Sequence, residues 1–271
     1  MRLLVKIGGA QIEQPDARAR LGAAIAAARR AGHEPIVVHG GGNQIRATSQ
    51  AMGLTDRYHD GLRITDAATA EVVLMVLAGS VNRTLVAALQ RAGVPAVGLS
   101  GADGGTFTAQ PLQRPGVDLG FVGAIDRVEP RLVLSLLAQG YVPVLATVAP
   151  RDGAAPDEPF FNLNADHAAG PLCRAFACDA ALFLTDVPGV LDARGARLPA
   201  LTPGDCDALV QSGVARGGML PKLDAALRAL RDHPRAIVKI APGGTDDAVC
   251  AALRADVGTR FVTDHEATRN G

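Results

Sequence analysis

Leu3-Leu4-Val5-Lys6-Ile7-Gly8-Gly9 opens the chain as a short apolar run that closes on a lysine and two glycines. A run of this length bounded by glycine reads as a buried strand. The Ala/Arg-rich stretch 17–30 has helical composition, and Gly32 ends it. Residues 35–38 form a second buried strand, followed by His39-Gly40-Gly41-Gly42 and a helix over about 43–52. Working outward, a long helix runs from Thr65-Asp66 through Val81 and on to Arg91, with Thr65 as capping residue. Strands are expected over 95–99 and 142–146, with turn-rich segments at 101–105 and 115–122 that fit β-hairpins. The second half predicts a helix over 164–177, a strand over 180–185, helices over 203–213 and 221–232, and strands over 236–240 and 260–263. Strands alternating with helices throughout imply an α/β fold, a three-layer αβα sandwich around a mainly parallel central sheet.

Composition excludes several classes. In 271 residues, 27 basic side chains balance 27 acidic ones, so no charge excess draws the chain to nucleic acid or anionic lipid. Aromatic content of 3% without Trp argues against a base-stacking surface. The most apolar stretch, 72–78, is too short for a bilayer, and the first residues lack the features of a signal peptide. A cytoplasmic protein that binds neither membrane nor nucleic acid is expected. Cys173, Cys178, Cys206 and Cys250 show no zinc spacing and read as small apolar residues in a reducing compartment. Only three of the basic residues are lysines, Lys6, Lys222 and Lys239. A chain this rich in arginine keeps lysine where a compact ammonium is needed.

Two of these lysines fall beside paired glycines. Lys6 lies at the carboxyl end of a strand, the edge where open α/β sheets bind ligands, and Gly8 and Gly9 let backbone amides approach an anion. A tight turn with a solvated lysine accounts for the same residues. His39-Gly40-Gly41-Gly42 before a helix forms an anion nest reinforced by the helix dipole. No G-K-[ST] occurs, so this is not a Walker loop. Arg63 before a helix suits bidentate carboxylate binding, although a surface position is the more common fate of an arginine when 24 are available. Alternation would place Asn162, Asn164 and Asp166 on one side of an extended segment, unless Asn164 or Asp166 caps the following helix. Lys222, with Pro221 at the helix start, is electrostatically wrong for a positive helix end unless both face a phosphate. Lys239, inside a strand, reads as structural. No G-x-S-x-G elbow or metal-binding histidine spacing is present.

Taken in order, VKIGG (5–9), HGGG (39–42), DGLRITD (60–66), GLSGADGG (98–105), NLNADHAAG (162–170), LTDVPGVLD (184–192) and GGMLPK (217–222) resemble the amino acid kinase superfamily over nearly the whole chain. GLRITD followed by AGSVNRTLV (78–86) resembles the branch that phosphorylates the side-chain carboxylate of N-acetyl-L-glutamate in arginine biosynthesis. The resemblance implies catalytic roles for Lys6, Lys222 and Asp166, the lysines stabilising the transferring phosphoryl group and Asp166 orienting both. It implies backbone phosphoryl binding at Gly8, Gly9 and Gly41, and acyl-glutamate binding by Gly41, Gly42, Arg63 and Asn162, with Arg63 on the α-carboxylate. Asp186, Val187, Pro188, Gly189, Val190 and Leu191, with Val214, Ala215 and Arg216, would line the nucleotide site. ATP with Mg²⁺ is the implied donor, and no metal site on the protein itself is implied. An acceptor lobe over 1–177 and a nucleotide lobe over 178–271 follow from the same likeness.

Phosphoryl transfer to a carboxylate suits this set. The nucleophile is already ionised at neutral pH, so no strong base is needed, only cations and amides that let two anions meet. Two departures stand out: Ala102 replaces a lysine common in relatives, and Pro171 is expected to interrupt the helix after NLNAD. Arginine-inhibited relatives carry an extra N-terminal helix that joins dimers into hexamers. Its absence predicts a homodimer without strong arginine feedback. Rival readings are a carrier-protein-linked α-aminoadipate or glutamate kinase, an N-succinylglutamate kinase, and a non-catalytic sensor on the same fold. Neutral overall charge disfavours an acidic carrier, and retention of Lys6, Asp166 and Lys222 disfavours the sensor.

Overall fold

The computed structural model describes residues 1–264 and 266. Strands β1 (Arg2–Ile7) and β2 (Glu34–His39) are joined through helix α1 (Pro15–Arg30), and α2 (Gly42–Ala51) follows the triple-glycine turn. A hairpin of β3 (Tyr58–His59) and β4 (Leu62–Arg63) leads into a continuous rod. The rod consists of α3 (Ala67–Leu74), a π-helical segment (Met75–Val81) and α4 (Asn82–Arg91). Then come β5 (Ala96–Leu99), β6 (Phe107–Pro111), β7 (Val122–Val128), α5 (Arg131–Ala138), β8 (Val142–Ala146), β9 (Val148–Ala149) and β10 (Phe161–Leu163). The second half is α6 (Ala165–Ala175), β11 (Ala180–Thr185), β12 (Ala200–Leu201), α7 (Pro203–Gln211) and α8 (Met219–Asp232). It closes with β13 (Ile237–Pro242), α9 (Ala248–Leu253) and β14 (Thr259–Phe261).

Eight strands form the central sheet in the order β12-β14-β13-β11-β1-β2-β8-β5, parallel throughout except for the β13–β14 pair. Alternation along β1 assigns its two faces. Leu3, Val5 and Ile7 pack with α1, the rod and α9, while Leu4 packs on the opposite side with α6 and α8. Each of Leu3, Val5 and Ile7 is 0% exposed, a burial that contributes about 1.5–3 kcal/mol per side chain. The layers are therefore helix, sheet, helix, as expected. Cys173, Cys178 and Cys206 are buried and Cys250 half-buried, none of them in a disulfide. Lys239 donates to the Arg254 carbonyl at 2.6 Å and ties β13 to the end of α9, a structural role.

Several local expectations change. Asp66, not Thr65, caps the rod, accepting from the Thr69 amide at 2.9 Å. The rod spans 25 residues, and its most apolar 18-residue stretch has mean hydropathy 1.9, long and apolar enough by length and composition to cross a membrane. The apolar stretch is thus longer than the 72–78 read from the sequence, but half of it is buried inside this fold, as in a core helix. Helix α8 begins at Met219, so Pro221 is its third residue rather than its first. Pro171 sits within α6 and does not end it; the ring removes one backbone donor, while Leu172 and Cys173 remain buried in the core. The turn-rich segments do frame a hairpin, β6–β7, which joins β10 and β9 in a second sheet. Its β7–β10 pairing is parallel, between segments far apart in sequence, and no local pattern encodes it.

Candidate active site

Alternation along β1 turns Lys6 to the α6 side of the sheet, where it is 5% exposed. Helix α6 starts on this edge because Asn164 caps it, accepting from the amides of Asp166 at 2.9 Å and His167 at 3.2 Å. The extended alternation therefore stops at Leu163, and Asp166 arrives by the first helical turn. There it meets Lys6, Nζ to Oδ1 2.6 Å. Burial drives the Lys6 ammonium below its ordinary pKa, and the Asp166 charge partly restores it. For Asp166, burial favours the neutral acid, but the charges of Lys6 and Lys222 outweigh it and hold the carboxyl below its usual value. Lys222, the fourth residue of α8, thus acts on both partners across the cleft. Of the three predicted catalytic residues, Lys6 and Asp166 are thus in contact, and Lys222 on α8 is near enough for its charge to act on both.

Beside this pair lies a cavity of about 230 Å³ lined by Gly41, Gly42, Arg63 and Asn162, the four residues expected to hold the acceptor. Arg63 enters it from β4, donating to Asp56 and to the Gly42 carbonyl at 2.9 Å. Its guanidinium lies 4.9 Å from the centre of the Tyr58 ring. Asn162 donates to Thr65 Oγ1 at 3.3 Å, and Thr65 Oγ1 donates to the Arg63 carbonyl at 2.8 Å. The cavity wall is thus braced from two sheets. Gly41 is tightly packed: a Cβ there would lie 2.8 Å from Leu77 Cδ2. The Gly8 amide donates to Gln11 Oε1 at 3.1 Å, so this predicted phosphoryl donor already has a partner. Neither Gly9, Gly41 nor Gly42 has a protein acceptor for its N–H among the described residues.

The residues expected at the nucleotide do not line this cavity. Asp186–Leu191 follow β11 at the same sheet edge as Lys6. Asp186 and Arg216 are exposed there, Val187, Leu191 and Val214 half-buried, and Gly189, Val190 and Ala215 buried. The Val190 amide donates to Thr259 Oγ1 at 2.8 Å, and the Ala215 amide to the Leu209 carbonyl at 2.9 Å.

Asp56, Tyr58 and Gln11 were not foreseen as site residues. The hairpin that carries Tyr58 and Arg63 did leave a signal. Asp60-Gly61 is a two-residue turn with φ of 47° and 77°, and an Asp-Gly pair between short strand segments is a strong hairpin mark. Asp56 and Gln11 left none, because their partners are set only by the fold.

A buried lysine–carboxylate pair, a second lysine whose charge reaches it and an amide-lined turn make an arrangement that can stabilise a transferring phosphoryl group. Residues 1–239 match the model of the amino acid kinase family, and the chain belongs to that family. It is a kinase with a carboxyl group as acceptor. Acetylglutamate kinase of Solibacter usitatus is 44% identical over 265 residues, covering 97% of this chain and all of the relative. Acetylglutamate kinase of Koribacter versatilis is 42% identical, over 85% of this chain and 87% of its own. Among solved structures, smu.665 of Streptococcus mutans superposes with a TM-score of 0.79 at 25% identity, over 96% of this chain and 98% of that one.

Proposed function

We propose that this kinase transfers the γ-phosphoryl of ATP to the side-chain carboxylate of N-acetyl-L-glutamate. The observation that carries the reading is the Lys6–Asp166 pair, under the influence of Lys222, beside the Gly41–Gly42–Arg63–Asn162 cavity. Full-length likeness to kinases of that name supports the choice of acceptor. Lys6 and Lys222 neutralise the transferring group, Asp166 holds Lys6 in register, and the Gly9 and Gly41 amides hold its oxygens. Gly8 would join them if Gln11 released its amide. Arg63 takes the acceptor's α-carboxylate, sharing its guanidinium with Asp56, and Asn162 holds the acyl-glutamate. Asp186–Leu191 and Val214–Arg216 line the nucleotide, in a C-terminal lobe over 178–271 opposite an acceptor lobe over 1–177. Mg²⁺ enters with ATP as part of the co-substrate. Among the described residues no group of three or more His, Cys, Asp or Glu could hold a metal.

ATP-dependent acyl-phosphate formation, trapped as hydroxamate, tests the acceptor. N-acetyl-L-glutamate is expected to be preferred over N-succinyl-L-glutamate, glutamate, aspartate and N-acetyl-α-aminoadipate. Preference for any other acceptor overturns the reading. The family likeness also supports a cytoplasmic homodimer, so light scattering is expected to give a mass of two chains. A hexameric mass would overturn that part alone.

A further inference from the structure

Behind the triple-glycine turn lies a buried polar network that the Lys6–Asp166 pair does not join and that meets the cavity wall only at Gly40 and Thr147. His39, the last residue of β2, is 0% exposed. Its Nδ1 lies 3.0 Å from the Gly40 carbonyl, and its Nε2 lies 3.0 Å from Asn82 Nδ2. Asn82 Nδ2 also donates to the Val144 carbonyl at 2.9 Å, and Asn82 Oδ1 accepts from Arg83 Nη2 at 2.6 Å. Thr147 Oγ1 closes the set on the His39 carbonyl at 3.1 Å.

The network fixes its own protons. A carbonyl can only accept, so Val144 dictates that the amide nitrogen of Asn82 faces inward. That nitrogen then donates to both neighbours, so His39 Nε2 must accept. The single imidazole proton is left on Nδ1, where the Gly40 carbonyl receives it. Burial holds the ring's pKa down to about 4, which keeps it neutral.

The Gly40 carbonyl and the Gly41 N–H belong to one peptide unit. In a planar trans peptide they point in opposite directions, so tethering the carbonyl aims the amide. The Gly41 N–H has no protein acceptor among the described residues, and Gly41 lines the cavity. The rod contributes from the same place. Its π-helical segment sets Leu77 and Val81 against Gly41, and Asn82 follows directly. Such segments recur at functional sites. Gly98 on β5 supplies the slot, since a Cβ there would collide with Asn82 Oδ1.

We propose that His39 and Asn82 are positioning residues for phosphoryl transfer, fixing the Gly40–Gly41 peptide so that the Gly41 N–H meets the transferring group. This rests on the reading of Gly41 as a phosphoryl-binding amide. His39→Gln can reach Asn82 but not the Gly40 carbonyl, whereas His39→Asn can reach the carbonyl but not Asn82. H39Q is expected to lose kcat about tenfold or more, as a misplaced donor would. Its KM for both substrates is expected to stay within threefold, and the Gly41 amide resonance to shift by NMR. H39N is expected to recover most of the kcat. A wild-type kcat in H39Q, or equal losses in the two variants, overturns the proposal. Should H39Q not fold, Asn82→Ala, which removes the donor that keeps the ring proton on Nδ1 and so weakens the tie to the Gly40 carbonyl, is expected to lose part of the kcat with KM little changed, and a wild-type kcat there overturns it as well. Full activity in Lys6→Ala would instead remove the site reading on which the proposal stands.

Discussion

Replacing Lys6 by alanine is expected to lower kcat by about 10²–10³-fold while KM for either substrate changes far less. The reason lies in where the charge sits. Lys6 is 5% exposed at the end of β1, so its ammonium acts through a medium that screens it poorly. Charge on the transferring oxygens is greatest in its consequences at the transition state, and a fixed cation there is worth most at that moment. In the function proposed above, ground-state binding of the acceptor draws instead on Arg63, Asn162 and the glycine turn, which line the cavity and which the substitution leaves alone. Lys222, whose charge already acts on Asp166, cannot replace it from α8. Steady-state kinetics on the hydroxamate assay check this, and an intact kcat would show that Lys6 is not in the machinery.

Asp166→Asn is expected to cost both activity and stability. The carboxylate 2.6 Å from Lys6 Nζ is the counter-ion of a buried ammonium. Removing one partner of a buried pair typically costs about 3–5 kcal/mol, because the other charge stays desolvated. The pH dependence has a definite sign. Lys6 already lies below its ordinary pKa of 10.5 through burial, and without Asp166 it falls further. Between that lowered value and 10.5 the unfolded chain binds more protons than the folded one, so stability of the variant rises with pH. Urea midpoints of variant and wild type are therefore expected to converge as pH climbs towards 10.5 and to diverge at neutral pH. Asp166 titrates the other way. Its depressed pKa stabilises the wild type above 3.8 and loses that contribution as pH falls through the folded value. Parallel midpoints across the alkaline range would mean that Lys6 does not depend on Asp166.

The sequence by itself determined the layered α/β fold and the placing of Lys6. Period-2 alternation and glycine punctuation are local signals, and β1, β2 and β11 lie where those signals put them. Lysine rarity drew attention to Lys6 and Lys222, and the glycine turn announced an anion site, because amide donors at a helix start are a backbone property. The hairpin carrying Arg63 is equally a local feature, since its Asp60-Gly61 turn lies between two short strand segments.

Other features only the tertiary structure decided. Lys6 and Asp166 are 160 positions apart, and only the packing of α6 on the β1 face brings them to 2.6 Å. The pairing of Arg63 with Asp56 and the hold of Gln11 on Gly8 follow from folded geometry alone. So does the contact between His39 and Asn82, which needs the π-helical segment, the slot at Gly98 and the Val144 carbonyl together. Periodicity reports which face a residue occupies. Partner and protonation state depend on what the opposite face brings, through distance and desolvation that exist only once the core has closed.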